Sequence, residues 1–300
     1  MRDWLYHGAV DVTAGIGHGG IGGAWVSSAG DIAWLNDYKI GSSPARDLFM
    51  NRTNISGPVL GDNPWVSAAA MNEAGDLVWS GRGDNTGGYM DLFLNDVNLT
   101  HDLFDGFRNL HVLDISDGGH MLWYVTYEGR TSLMRDFEDI STPVLGDHEG
   151  FPQLILGAFV NVRGDVAWVA DDQTTGHAAV YLNDVDLSTA VLGKAGRIKG
   201  LDAWGRVLWE GSGESTGDRL EVFVNSFNLS QDALGDEEYA GAAALAIGEN
   251  GHVLWYAGGP DHTSSLWLST PVPEPSTLLL ALPLLLLARR RRPQRDCPSC

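Results

Sequence analysis

Apolar residues along this chain come in runs of four to seven, each closed by Gly, Asn, Asp or Pro, and no stretch sustains a helical period. The runs recur. A Gly, a polar residue, two apolar residues and a Trp appear six times, ending at Trp34, Trp79, Trp123, Trp168, Trp209 and Trp255, with spacings of 45, 44, 45, 41 and 46 residues. Some ten to fifteen residues after each Trp comes a second apolar run, from DLFM in the first copy to SLWL in the last. A polar–apolar–hydroxyl triplet follows in five copies: Asn54-Ile55-Ser56, Asn98-Leu99-Thr100, Asp139-Ile140-Ser141, Asp186-Leu187-Ser188 and Asn228-Leu229-Ser230. A small-residue stretch such as IGGAWV, VSAAAM or GAAALAI precedes each Gly.

Four strands of five or six residues joined by short turns need about 42 residues, which matches the period. A lone four-stranded sheet cannot bury both faces, so the sheets must stack around a ring. The pattern predicts an all-β fold: a β-propeller of six four-stranded blades over residues 1–270, or seven if the N-terminus is truncated. Each Trp is then a wedge between blades, and the Ala/Gly-rich stretch an innermost strand. Val10-Asp11-Val12-Thr13 aligns with Val185-Asp186-Leu187-Ser188, so the chain start is expected to supply the outer strand that the sixth copy lacks. Trp4-Leu5-Tyr6 also matches the run before that strand, which the sixth copy already has; either the ends overlap or the array was once longer.

Two turns, Asn72-x-x-Gly75 and Asn161-x-x-Gly164, carry a further likeness. Over roughly residues 15–270 the repeats resemble bacterial tandem-repeat proteins with an N-x-x-G-x-x-A-F signature, although Trp replaces Phe throughout and four copies lack the Asn. That resemblance implies the fold and secretion, and no chemistry.

Residues 271–300 are of another kind. Pro273-Glu274-Pro275 is followed by the apolar run Leu278 to Ala288, then by Arg289, Arg290, Arg291 and Arg292. Eleven apolar residues are short for a spanning helix, and the arginines would stay on the cytoplasmic side. The three parts in this order resemble the PEP-CTERM sorting signal. The resemblance implies recognition by an exosortase, transient insertion of the tail in the inner membrane of a Gram-negative bacterium, and export to the cell envelope or an exopolysaccharide matrix. The alternative is an uncleaved tail anchor. MRDWLYHGAV has no apolar core of a signal peptide, which suggests a misplaced start or a truncation.

Charge narrows the partners. Residues 1–270 hold 14 basic against 37 acidic side chains, a net of −23, which repels nucleic-acid phosphates. The only cysteines, Cys297 and Cys300, lie beyond the arginines, where one C-x-x-C pair completes neither a zinc site nor a redox helix. Gly15 to Gly20 fits G-x-G-x-x-G but leads into a strand pattern, without the helix N-terminus that a phosphate needs. The two Arg-Gly-Asp triplets and the N-x-S/T triplets belong to the repeat itself. No Ser/His/Asp set or H-E-x-x-H is visible, and the turns depart from the sialidase-type Asp box, because Gly stands four residues before the aromatic and not three.

One acidic feature recurs. Asp84-x-Thr86, Asp172-x-Thr174, Glu214-x-Thr216 and Asp261-x-Thr263 follow the Trp strand, on the face expected to carry Asp62, Asp147 and Asp236. These oxygens either hold calcium around one rim or form local turns. No other cofactor is implied. The sequence therefore points to a non-enzymatic exported propeller that binds or scaffolds exopolysaccharide or other surface proteins, with no catalytic residues assigned. The alternative is a carbohydrate-active propeller enzyme, a hydrolase or lyase.

Overall fold

The computed structural model describes residues 6–7, 10–11, 13, 19–101, 103, 108–127, 129–146, 154–172, 177–192, 197–235, 239–259 and 264–270. The chain is all-β, and each of the six repeats folds as its own small antiparallel unit. The second repeat shows the plan. Its first strand is Trp65–Met71, its second, Leu77–Arg82, carries Trp79, its third is Asp91–Leu94 and its fourth Val97–Asn98. Repeats one, three, four and five have the same four strands. A single parallel bridge, Arg46 to Trp65, joins the first two units into one sheet.

Every first strand carries a bulge where it pairs with the second, for example between Val66 and Ala68 and between Ala244 and Ala246. A bulge sharpens local twist, and its recurrence gives all six sheets the same bend. The fourth strand is two residues long, not the five or six expected. The triplet explains why. Ser56 Oγ accepts from Leu48 N at 2.8 Å and Asn54 Oδ1 from Gly57 N at 2.8 Å, so side chains replace the ladder and turn the chain away. A short helix follows in four repeats: Gly57–Leu60, Thr142–Leu145, Thr189–Leu192 and Leu229–Leu234.

All six repeated tryptophans are buried, at 1% exposure or less. Trp79 packs with Ala33, Leu35 and Leu48 of the preceding repeat. Trp123 meets Val78 and Leu92 in the same way, Trp168 meets Leu122 and Leu133, Trp209 meets Val169 and Val180, and Trp255 meets Leu208 and Val222. One face of each sheet thus covers the Trp face of the next. The indole N–H is satisfied too. It donates to the carbonyl of the residue that turns the chain from third to fourth strand: Asn51 at 3.1 Å, Asn95 at 2.6 Å, Asn183 at 2.8 Å, Asn225 at 2.6 Å, and Asp136 likewise. In the sixth repeat Trp255 donates instead to Ser269 Oγ.

The sixth unit has three strands among the described residues, Gly241–Ile247, Val253–Gly258 and Ser264–Ser269. Among the described residues the chain start does not pair with this unit, contrary to the expected completion. Val10–Asp11 pairs with Tyr6–His7, the same two-residue pairing that joins third to fourth strand elsewhere, so the chain start already contains its own third strand. Leu266 and Leu268 on Ser264–Ser269 are 68% and 71% exposed, whereas Leu92, equivalent to Leu266, is fully buried.

Candidate functional site

The strand plan sorts the connections onto two faces. Loops from second to third strand share one face with the short helices: Asp84 N donates to Asp62 O at 3.2 Å, and Asn85 Nδ2 to Val59 O at 3.1 Å. The approach is close enough that a Cβ on Gly83 would sit 2.4 Å from Leu60 O. The predicted rim acids Asp84 and Glu214 open the 3-10 turns Asp84–Thr86 and Glu214–Thr216, and both point to solvent, as does Asp62. The buried member of each pair is the Thr. Thr86 Oγ1 accepts from Gly83 N and lies 2.8 Å from Tyr89 O, and Thr216 does the same between Gly213 and Arg219. Asp172 ends the strand Val166–Asp172, with its side chain outside the described residues. Asp147, Asp236, Asp261 and the sorting residues Pro273, Glu274, Pro275 and Arg289 to Arg292 also lie outside them.

The opposite face carries the turns from first to second and from third to fourth strand. Here turns of neighbouring repeats are tied together. Ser28 N and Oγ donate to Glu73 O, Glu73 N to Asp117 Oδ1 at 2.8 Å, Asn72 Nδ2 to Ser116 O at 3.2 Å, and Asn161 Nδ2 to Asp202 O at 3.0 Å. Glu73, Asp117 and Glu249 converge, with carboxylate oxygens within 4.8 Å of one another. They occupy the second position of the turn in repeats two, three and six, so the sixth repeat returns beside the second and third. Sequence reasoning missed this trio because the residues are far apart in the chain and unremarkable singly.

The same face holds an open cleft of about 540 Å3 between repeats three and four. His120, Arg135, Asp136, Phe137 and Glu138 line it from one side, Arg163 and Gly164 from the other. The lining is a departure from the repeat. Arg135 stands where the equivalent residues are Met50, Leu94, Leu182 and Val224, and Phe137 where they are Arg52, Asp96, Asp184 and Ser226. Arg135 donates to Gly164 O at 3.0 Å and pairs with Glu138. Arg163 Nη2 donates to Asp165 Oδ2 at 2.6 Å and to Trp204 O at 2.7 Å. His120 Nδ1 lies 3.0 Å from Asp136 Oδ2. Phe137, 51% exposed, stands edge-on to Trp123 at 6.3 Å.

Two carboxylates near this cleft are held below the ordinary range. Burial pushes Asp165 up, but hydrogen bonds from Asn161, Arg163 and Asn183, with the Arg163 charge, outweigh it. Asp139 is lowered against the same burial effect by the Thr142 and Ser141 donors and by Ser132. Away from the cleft, burial raises Asp114 and lowers His111, and burial together with Glu221 pushes Tyr239 to about 12. The cleft offers an aromatic side chain beside paired charges, open to solvent.

No protein-family model matches the chain, and no curated protein does. Among solved structures it is similar to Trypanosoma rangeli sialidase in complex with 2,3-difluorosialic acid, a covalent intermediate. That match has a TM-score of 0.33 at 13% identity and covers 91% of this chain and 59% of that one. A complex of Trypanosoma rangeli sialidase with sialic acid matches with a TM-score of 0.27 at 10% identity, over 93% and 45%. The chain spans about half the length of these structures. Overlap this low assigns no activity.

Proposed function

We propose that the repeats are the blades of a β-propeller, six as counted from the tryptophans, and that the protein is an exported binding or scaffolding module rather than an enzyme. Support for the ring comes from the return of Glu249 beside Glu73 and Asp117. The observation that carries the binding reading is the cleft of the third repeat, where Arg135 stands in place of an apolar residue and Phe137 in place of a polar turn residue. In a repeat fold the shared residues maintain the structure, and side chains peculiar to one repeat are free for recognition. The partner class follows from the tail, whose resemblance to a PEP-CTERM signal points to the envelope and its exopolysaccharide. Among the described residues no helix is long and apolar enough to cross a membrane.

The test is a screen of the purified protein against polysaccharides, reading retention and release of reducing ends in parallel. Retention without turnover supports the module. Turnover abolished by a single acid substitution overturns it in favour of a carbohydrate-active enzyme. For the tail, mass spectrometry of the envelope-associated protein should find Arg289 to Cys300 removed. An intact C-terminus in the inner membrane would make it an anchor.

A further inference from the structure

We infer that the cleft between repeats three and four is a saccharide subsite that takes a neutral sugar unit, a step that rests on the reading of this protein as a binding module. The cleft is the right size, since small-ligand sites run from roughly 300 to 1,000 Å3. Its one large apolar group is Phe137, which is half exposed at a turn position where four other repeats carry a polar residue. An exposed Phe loses the benefit of burial unless something covers it. Its ring lies at 69° to that of Trp123, with centroids 6.3 Å apart, and half of its surface is open to solvent. The negative π face of an aromatic ring attracts the polarised C–H bonds on the flat side of a pyranose.

The polar lining matches the rest of a sugar. A hydroxyl is both donor and acceptor, so it is best met by a donor set beside an acceptor. The cleft presents two such pairs, Arg135 with Glu138 and His120 with Asp136, beside Arg163, whose partner Asp165 lies just outside the lining. Each guanidinium is paired with a carboxylate before a ligand arrives, so neither is left as a bare cation.

The charge count decides between sugar classes. Two guanidinium groups, Arg135 and Arg163, face two lining carboxylates, Asp136 and Glu138, and Arg163 is already paired with Asp165. In a body whose residues 1–270 carry a net charge of −23, nothing here favours a uronate or a sulfated unit. A peptide fits less well. The adjacent fourth strand, Glu138–Asp139, has two residues and is too short to template an added strand.

The test uses the full chain and two variants that restore what other repeats carry, F137S and R135L. Affinity electrophoresis in gels with dextran, galactomannan or alginate gives the readout, with unfolding midpoints measured alongside. Expected is retardation by at least one neutral polymer, insensitive to salt, and at least tenfold weaker for F137S at an unchanged midpoint. Retardation equal in the wild type and both variants would overturn the inference and leave the binding module standing. Preference for alginate, lost in salt, would overturn the neutral class. Binding to none of the three but to a peptide library would overturn the saccharide assignment and the proposed function together.

Discussion

Asp139 accepts from Ser141 N and Thr142 N, both at 3.0 Å, and from Thr142 Oγ1 at 2.6 Å, closing the third repeat's outer turn. Its pKa is depressed below the ordinary value of a free aspartate, so its contribution to stability is complete above that ordinary value and is lost as the pH falls through the lower, folded one. Asp165 acts in the same direction, while Asp114, raised by burial, opposes them. The unfolding midpoint should therefore drop on acidification from about pH 5 to about pH 2. Asp139→Asn should flatten the drop, because Asn already serves at Asn54, Asn98 and Asn228. A calorimetric series at stepped pH checks this, and an unaltered slope would mean Asp139 has no part in it. Trp79 illustrates the larger scale of packing. Trp79→Ala opens a cavity between two sheets and should cost about 3–5 kcal/mol in urea titration. Both residues were legible in the sequence, Trp79 by its spacing and Asp139 by its triplet. Arg163 was not, because its place in the cleft depends on which turn the fourth repeat lays beside the third.

Within each repeat, the element that locks sheet to tryptophan is the turn from third to fourth strand. Asn51, Asn95, Asp136, Asn183 and Asn225 all adopt left-handed backbone conformations, with φ between 52° and 55°. Asn95 does three things there. It turns the chain, its carbonyl receives Trp79 Nε1, and its side chain caps Leu77 N at 3.0 Å. Asn95→Ala keeps the carbonyl but strains the backbone and orphans Leu77 N, an expected loss of about 2 kcal/mol or more. Asn95→Gly relieves the strain and should cost less, and Asn95→Asp should be near neutral because Asp136 fills this role in repeat three. Chemical denaturation should return that order, and equal losses for Ala and Gly would rule out the conformational part. The sequence showed these residues only as breakers between apolar runs. Likewise the helix Gly57–Leu60 was invisible, since four residues carry no helical period and Pro58 reads only as punctuation.

Across the molecule, the packing rule is that one face of each sheet covers the tryptophan of the next. The sixth sheet has its Trp face covered and its other face open, with Tyr256, Leu266 and Leu268 exposed. Leu92→Ala and Leu266→Ala change the same side chain at equivalent positions, so their difference measures cover alone. Leu92→Ala should cost about 2–5 kcal/mol, and Leu266→Ala under about 0.5 kcal/mol. Matching costs would show that the sixth sheet is covered in solution as the others are. The repeat length made the number of units legible from sequence. Their closure was not, because the alignment of Val10 to Thr13 shows what the segment is and not which strand it joins.

Among the described residues the strand Ser264–Ser269 pairs on one side, with Val253–Gly258, through six residue pairs. A load applied to the chain just beyond Ser269 would meet these pairs one after another, as in peeling tape. The links between neighbouring turns, such as Asn72 to Ser116, lie elsewhere and would share none of that load. In a single-molecule pulling experiment from that end, the sixth sheet should open first and at low force, while the five sheets behind it stay closed.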